Sequence, residues 1–253
     1  FLGYSVASLL QATGHEVIKT NLINDRGIHI CKSMIAWKLF ANQATPQTTG
    51  IKGDHFVGKY YVKFNDVYKQ EIATLVDNGM PVERAEKEAP IMVEAQSMLR
   101  KWEDGDAEVL ALWTTMNQWV YDGFDITYNR MGVDFDKIYK ESETYLLGKS
   151  IIEKGLDSGV LFKKEDNSVW IDLTADGLDE KLLLRGNGTA VYITQDIGTA
   201  TLKYSDYQMD SSVYVIGDEQ NYHMQVLKLI MQKLKEPGAD GIHHLSYGMV
   251  ELP

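Results

Sequence analysis

An α/β fold of the Rossmann-like, doubly wound kind, with a parallel sheet, a helical insertion and a small β insertion, is what this chain predicts, on three observations. The β-branched run EVIKTNLI (16–23) reads as a strand, and the near-continuous apolar run SVYVIG (212–217) as a strand of a sheet covered on both faces. These runs alternate with amphipathic segments at helical spacing, the order that produces a parallel sheet covered by helices. Polar clusters stand directly after the strand-like runs, where open α/β sheets bind ligands.

The opening LGYSVASLLQAT has apolar residues at helical spacing and stops at Gly14, a residue suited to a left-handed cap. EVIKTNLI follows as a strand bounded by the turn NDRG (24–27), then a second helix from about Ile28 to Asn42, giving the order of half a doubly wound sheet. Residues 56–131 change character: long amphipathic runs broken at Pro81 predict a helical hairpin or bundle inserted in the sheet. The sheet pattern resumes at FDKIYKE, and a helix is expected around TYLLGKSIIEKGL. LFKKEDNSVWIDL alternates around the polar turn EDNS, so a β hairpin is expected within a small insertion spanning 158–185. From Lys181 the pattern reads strand, RGNG turn, helix near Asp196–Tyr207, strand, helix from Asn221 to Leu234, and strand HHLSYGMV. No internal repeat interrupts this order, and the whole of 1–253 is read as one α/β core with its insertions. Because the chain opens inside a helix and closes at ELP, it is expected to be a piece of a longer protein.

With 253 residues, 44% of them hydrophobic, the chain can bury a sizeable core. Its mean hydropathy of −0.25 and the lack of any run near the ~20 apolar residues that span a bilayer exclude a helical membrane protein. Cys31 is the single cysteine, so no internal disulfide or paired-cysteine metal site can form, and a reducing, cytoplasmic setting is expected. A formal charge of −11 argues against a broad phosphate-neutralising surface, so any RNA contact is expected to be local.

Four constellations could carry chemistry. Tyr192 and Asp196, four apart, would share one side of a helix mouth, a phenol and a carboxylate facing one ligand; the plainer alternative is that Asp196 caps the helix and Tyr192 packs inside. Glu141, with Ser142 and Glu143, follows a strand and could receive a cation or simply cap the next helix. Gln220 and His223, in DEQNYHMQ, follow SVYVIG and could line a small-molecule pocket; His223 has no second histidine or cysteine at ligand spacing, so no metal site is read. The RGNG turn matches neither the dinucleotide fingerprint nor the Walker loop, and no nucleophile elbow is present. Tyr60, Tyr61, Trp102, Trp113 and Trp119 fall at helical spacing and read as core.

The blocks TNLINDRGIHI, FDKIYKESE, LLLRGNGTAVYITQDIGTA, VYVIGDEQNYHMQVLKLI and HHLSYGMVELP, in this order, resemble the class I arginyl-tRNA synthetases over essentially the whole chain. In that family the opening helix follows a HIGH-type ATP motif and GMVELP precedes a KMSK-type loop; neither motif is in this sequence. The resemblance implies a ligase that activates L-arginine with ATP and magnesium to arginyl-adenylate and transfers it to the 3′ end of tRNA(Arg). It maps the arginine pocket onto Glu141, Tyr192, Asp196 and Gln220, and the adenosine pocket onto His223 with the backbone of Gly248, Met249 and Val250. Asn24, Asp25 and Gly27 read as scaffold. Without the two ATP motifs, and without the RNA-binding parts that activation in this family needs, the isolated chain is expected to be inactive. The rival expectation is a non-catalytic, synthetase-like module that binds arginine.

Overall fold

The computed structural model describes residues 1–249. In chain order the elements are α1 (Leu2–Ala12), β1 (Thr20–Ile23), α2 (Ile28–Phe40), α3 (Pro46–Thr49), α4 (Gly53–Asp77), α5 (Val82–Glu88), α6 (Pro90–Glu103), α7 (Ala107–Met131) and β2 (Lys137–Lys140). They continue with α8 (Glu141–Thr144), α9 (Gly148–Asp157), β3 (Leu161–Lys163), β4 (Val169–Ile171), β5 (Lys181–Leu184), α10 (Tyr192–Tyr207), β6 (Ser212–Gly217), α11 (Asn221–Lys233) and β7 (Ile242–Tyr247). The chain divides into two compact units, one of Phe1–Ile23 with everything from Phe135 on, the other Asn24–Asp134.

In the first unit the strands pair as an α/β protein should. β1 runs parallel to β2, Thr20 opposite Lys137 through Ile23 opposite Lys140. β6 runs parallel to β7, Ser212 opposite Ile242 through Gly217 opposite Tyr247. The apolar strand SVYVIG thus takes the place its composition dictates, and its tyrosine and isoleucine side chains pack against a core that α10 and α11 fill with Ile193, Ile197, Met224, Leu227, Ile230 and Met231. Burying a side chain of this size is worth roughly 1.5–3 kcal/mol, and these residues hold both helices on one apolar body. β3, β4 and β5 form a separate antiparallel sheet. Its first turn closes with the Lys164 N–H donating to the Ser168 carbonyl, and Asn167 takes the left-handed conformation that tight turns favour. The RGNG turn closes on itself, the Gly188 N–H donating to the Arg185 carbonyl and the Arg185 N–H to that of Thr189, so these amides are spent locally.

The second unit is all helix. α2 packs on α4, α6 and α7, burying Cys31, Met34, Ile35 and Ala36. The strand-then-helix order at 16–42 suggested a layer on the sheet; α2 instead lies among helices, because its apolar residues surround it rather than forming one stripe. The core is aromatic. Phe56 meets Trp119 edge-on at 5.6 Å between centroids, Trp37 meets Trp119 at 5.8 Å, and Trp102 meets Trp113 at 5.5 Å. Tyr60, Trp102 and Trp119 are buried, whereas Tyr61 is exposed.

The NDRG turn is fixed from α7. Trp113 Nε1 and Asn117 Nδ2 both donate to the Asp25 carbonyl, at 2.6 and 2.9 Å, and the Tyr121 hydroxyl donates to the Asp25 carboxylate at 2.9 Å. Three residues four apart present one helix face to a single buried aspartate, which gives the turn a scaffold role in this unit.

Candidate functional site

Most of the singled-out polar residues follow the carboxyl ends of parallel strands. Glu141 opens α8 directly after β2; Gln220 lies in the short turn between β6 and α11; Gly248 and Met249 follow β7 and are exposed. Val250 lies outside the described residues. Tyr192 and Asp196 are the first and fifth residues of α10.

Asp196 does not cap its helix. α10 begins at Tyr192 with Val191 as N-cap and no side-chain cap bond, and the Asp196 carboxylate accepts a hydrogen bond from His223 Nε2 at 2.6 Å. Both side chains are about one-third exposed, 32% for Asp196 and 33% for His223. Tyr192 is not core either: it is 71% exposed, one turn ahead of Asp196 on the same face. Gln220 stands one turn ahead of His223 at the mouth of α11. The 2.6 Å bond therefore ties two helix mouths together, each carrying two of the polar residues.

Glycines bring the third mouth in. A Cβ on Gly148 would stand 2.0 Å from the Thr194 carbonyl oxygen, and one on Gly198 would stand 2.6 Å from the Gly148 amide nitrogen. α9 and α10 thus cross backbone to backbone, a distance only glycine permits. α8, which Glu141 opens, packs on α10 just ahead of that crossing. Lys140 caps α8 without a side-chain bond, and Glu141 and Glu143 stand in the first turn of that four-residue helix. On the far side the buried Thr194 hydroxyl donates to the Leu183 carbonyl at 2.6 Å and pins the start of α10 to the end of β5.

Beneath Asp196, α10 faces β6 with a polar stripe. Lys203 Nζ donates to the Ser212 hydroxyl at 2.9 Å and lies 4.0 Å from the Tyr214 ring centroid. Burial lowers the Lys203 ammonium to about 8. Burial likewise pushes the Tyr214 phenol up to about 12, the Ser212 hydrogen bond working against it and the Asp196 charge adding to it. Tyr139 on β2 donates to Asp206 at 2.7 Å, and burial first, then that bond, raises its phenol as well.

Two carboxylates, a phenol and a carboxamide are acceptors suited to a cationic ligand with several donors. A guanidinium presents five N–H donors in a plane, whereas an ammonium is a point charge that cannot span two separated acceptors. Among the described residues no group of three His, Cys, Asp or Glu side chains could hold a metal ion. No helix among them is long and apolar enough to cross a membrane. His243 and His244 are the second and third residues of β7, and His244 Nε2 bonds the Ile216 carbonyl oxygen at 3.1 Å, a tie within the sheet. A cleft of about 610 Å³ lies at the opposite, amino-terminal ends of β6 and β7, between Tyr204, Asp210 and Gly238, away from these residues.

The fold is that of the class I synthetases: the structure superposes on the Thermus thermophilus arginyl-tRNA synthetase with a TM-score of 0.74, covering 98% of this chain and 44% of that one at 20% identity. The Plasmodium falciparum enzyme superposes with a TM-score of 0.72 at 14% identity, covering 99% of this chain and 39% of that one. Residues 1–252 match the family described as tRNA synthetases class I (R), catalytic domain, and the chain belongs to that family, as a fragment of an arginyl-tRNA synthetase. Sequence relatives agree. The chain is 60% identical over 252 residues to the arginine–tRNA ligase of Bacteroides thetaiotaomicron and 58% identical over 253 to that of Amoebophilus asiaticus. In each case all of this chain matches 42% of the relative's length.

Sequence reasoning singled out Asp196 and His223 separately, one for the amino acid and one for the nucleotide, and missed that they bond. It also missed Gly148 and Gly198. The available signal was a helix-interior aspartate flanked by buried Ile193 and Ile197, a carboxylate that needs a partner.

Proposed function

We propose that the protein to which this chain belongs ligates L-arginine to tRNA(Arg), and that this chain supplies the pocket for the arginine side chain. Glu141, Tyr192, Asp196 and Gln220 receive the guanidinium and the amino-acid end. His223 and the backbone at Gly248 and Met249 face the adenosine; Val250, which the resemblance adds to them, lies outside the described residues. The observation that carries the reading is the Asp196 carboxylate, held at 2.6 Å by His223 one turn behind the exposed Tyr192, in a chain of this family.

In the reaction, the arginine carboxylate attacks the α-phosphate of ATP, releasing pyrophosphate and forming arginyl-adenylate, and the arginyl group then passes to the terminal ribose of the tRNA. Magnesium enters with the nucleotide. No protein nucleophile takes part. The residues here contribute by alignment, since fixing two reactants in attack geometry replaces a bimolecular encounter by a unimolecular step. Carboxylates paired with a guanidinium discriminate arginine from lysine and from neutral citrulline, because each charge-assisted hydrogen bond is worth about 1.5–3 kcal/mol.

Calorimetric titration of the chain with L-arginine, lysine and citrulline tests this. Arginine alone should bind, and Asp196→Ala should weaken it at least ~10-fold. Equal binding of lysine, or an unaffected variant, would remove the assignment. Pyrophosphate exchange should be absent from the chain by itself.

A further inference from the structure

We propose that His223 is a positioning residue for Asp196: its Nε2–H holds one carboxylate oxygen so that the other is presented to the ligand in a single orientation. The proposal rests on the arginine reading above and deepens it, because there His223 belonged to the nucleotide side only.

The geometry carries it. A carboxylate can only accept, so the 2.6 Å contact makes Nε2 the protonated nitrogen, with Oδ2 as its acceptor. The partners come from two helices, 27 positions apart, so the bond is set by tertiary structure rather than by neighbouring turns. Each side chain is anchored by the residue after it: Ile197 is 0% exposed and Met224 is 4% exposed, both in the same core. The pair therefore stands on the rim of a packed body with its backbones fixed, two-thirds buried, unlike a solvated surface ion pair.

An aspartate at this rim without a partner would sample several rotamers and lose that freedom on binding. With Oδ2 engaged, the ordering has been met before the ligand arrives, which is how a supporting hydrogen bond improves affinity. A second consequence concerns the ring. Since Nε2 is committed to Asp196, Nδ1 is the ring nitrogen that this bond leaves over.

The test is calorimetric titration of the chain with L-arginine in His223→Gln and His223→Leu variants, with circular dichroism as the check on folding. Glutamine can place an amide donor near the position of Nε2; leucine fills the space without one. We expect His223→Leu to weaken arginine binding about tenfold and His223→Gln to recover most of it, with citrulline and lysine unbound throughout. Wild-type affinity in the leucine variant, or equal loss in both folded variants, would overturn the clamp. Proton NMR of the ring N–H supplies a readout that needs no arginine: a downfield, exchange-protected signal in the wild type that vanishes in Asp196→Ala is expected, and its absence from the wild type would also overturn the clamp. Should arginine fail to bind the wild type while that signal is present, the clamp stands and the arginine reading falls.

Discussion

The two compact units solve the same packing problem and use the solution differently. In the helical unit, a Cβ on Gly53 would stand 1.8 Å from the Trp119 carbonyl oxygen, and one on Gly123 would stand 2.7 Å from the Asp54 amide nitrogen, so α4 and α7 cross backbone to backbone. In the sheet unit, Gly148 and Gly198 do the same for α9 and α10. Around the first crossing stand Phe56 and Trp37, both packed on Trp119; beside the second stand Glu141, Tyr192 and Asp196. One close approach organises a core. The other sets the spacing of polar groups at strand ends, and it follows that the same substitution should have different consequences in the two places.

The largest expected effect is in the aromatic core. Trp119→Ala should destabilise the helical unit by ~3–5 kcal/mol, the range for removing a large buried aromatic, read as a lower urea midpoint at unchanged slope. A loss below about 1 kcal/mol would mean that the aromatic contacts are incidental and that the contrast between the units is wrong. Next come the glycines. Gly53→Ala and Gly148→Ala should each cost roughly 1–3 kcal/mol, since backbone must move to admit the methyl group. Only Gly148→Ala should also weaken arginine in calorimetry, so equal arginine affinity in both variants would break the comparison.

The smallest effect is a dependence on pH. Lys203, lowered to about 8 from its ordinary 10.5, binds its proton less tightly in the folded than in the unfolded chain. That penalty is fully present below about 8 and is relieved as pH rises from there towards 10.5. Lys203→Met should therefore be more stable than the wild type at pH 7, by about 1–2 kcal/mol once the lost Ser212 bond is set against it. The advantage should shrink by pH 10 in thermal melts, and a constant difference between the two pH values would remove this account of the stripe beneath Asp196.

Legibility in the sequence followed how local the causes were. SVYVIG could be read as a strand because an apolar β-branched run is bounded by serine and aspartate before it and glycine after it, and β6 is Ser212–Gly217. The start of α10 could not be read: VYIT has the composition of a strand, yet the helix begins at Tyr192 rather than near Asp196. The Thr194 bond to the Leu183 carbonyl and the crossing at Gly198 override the β preference of those residues. Trp113, Asn117 and Tyr121 could be assigned to one helix face by spacing, but the aspartate they hold, 88 to 96 positions away, leaves no trace in a periodicity. The Asp196–His223 bond was hidden for the same reason. Each residue was visible and the contact was not.

β1 and β2 are neighbours whose pairing is closed by the Lys19 N–H on the Asp136 carboxylate at 2.7 Å, across 117 positions of chain. In kinetic terms the whole helical unit is the crossover loop of one parallel strand pair. Loop closure costs about 0.6 kcal/mol for each doubling of length, so ~100 residues of flexible chain would add roughly 2 kcal/mol to the barrier over a ~12-residue crossover. Folding the helices first removes that increment, because the strand ends are then joined through a body of fixed length. Local helical contacts form quickly and distant strand pairing slowly, so β1 and β2 should zip late, and substitutions in the Phe56–Trp119 core should slow the appearance of a sheet that contains neither residue.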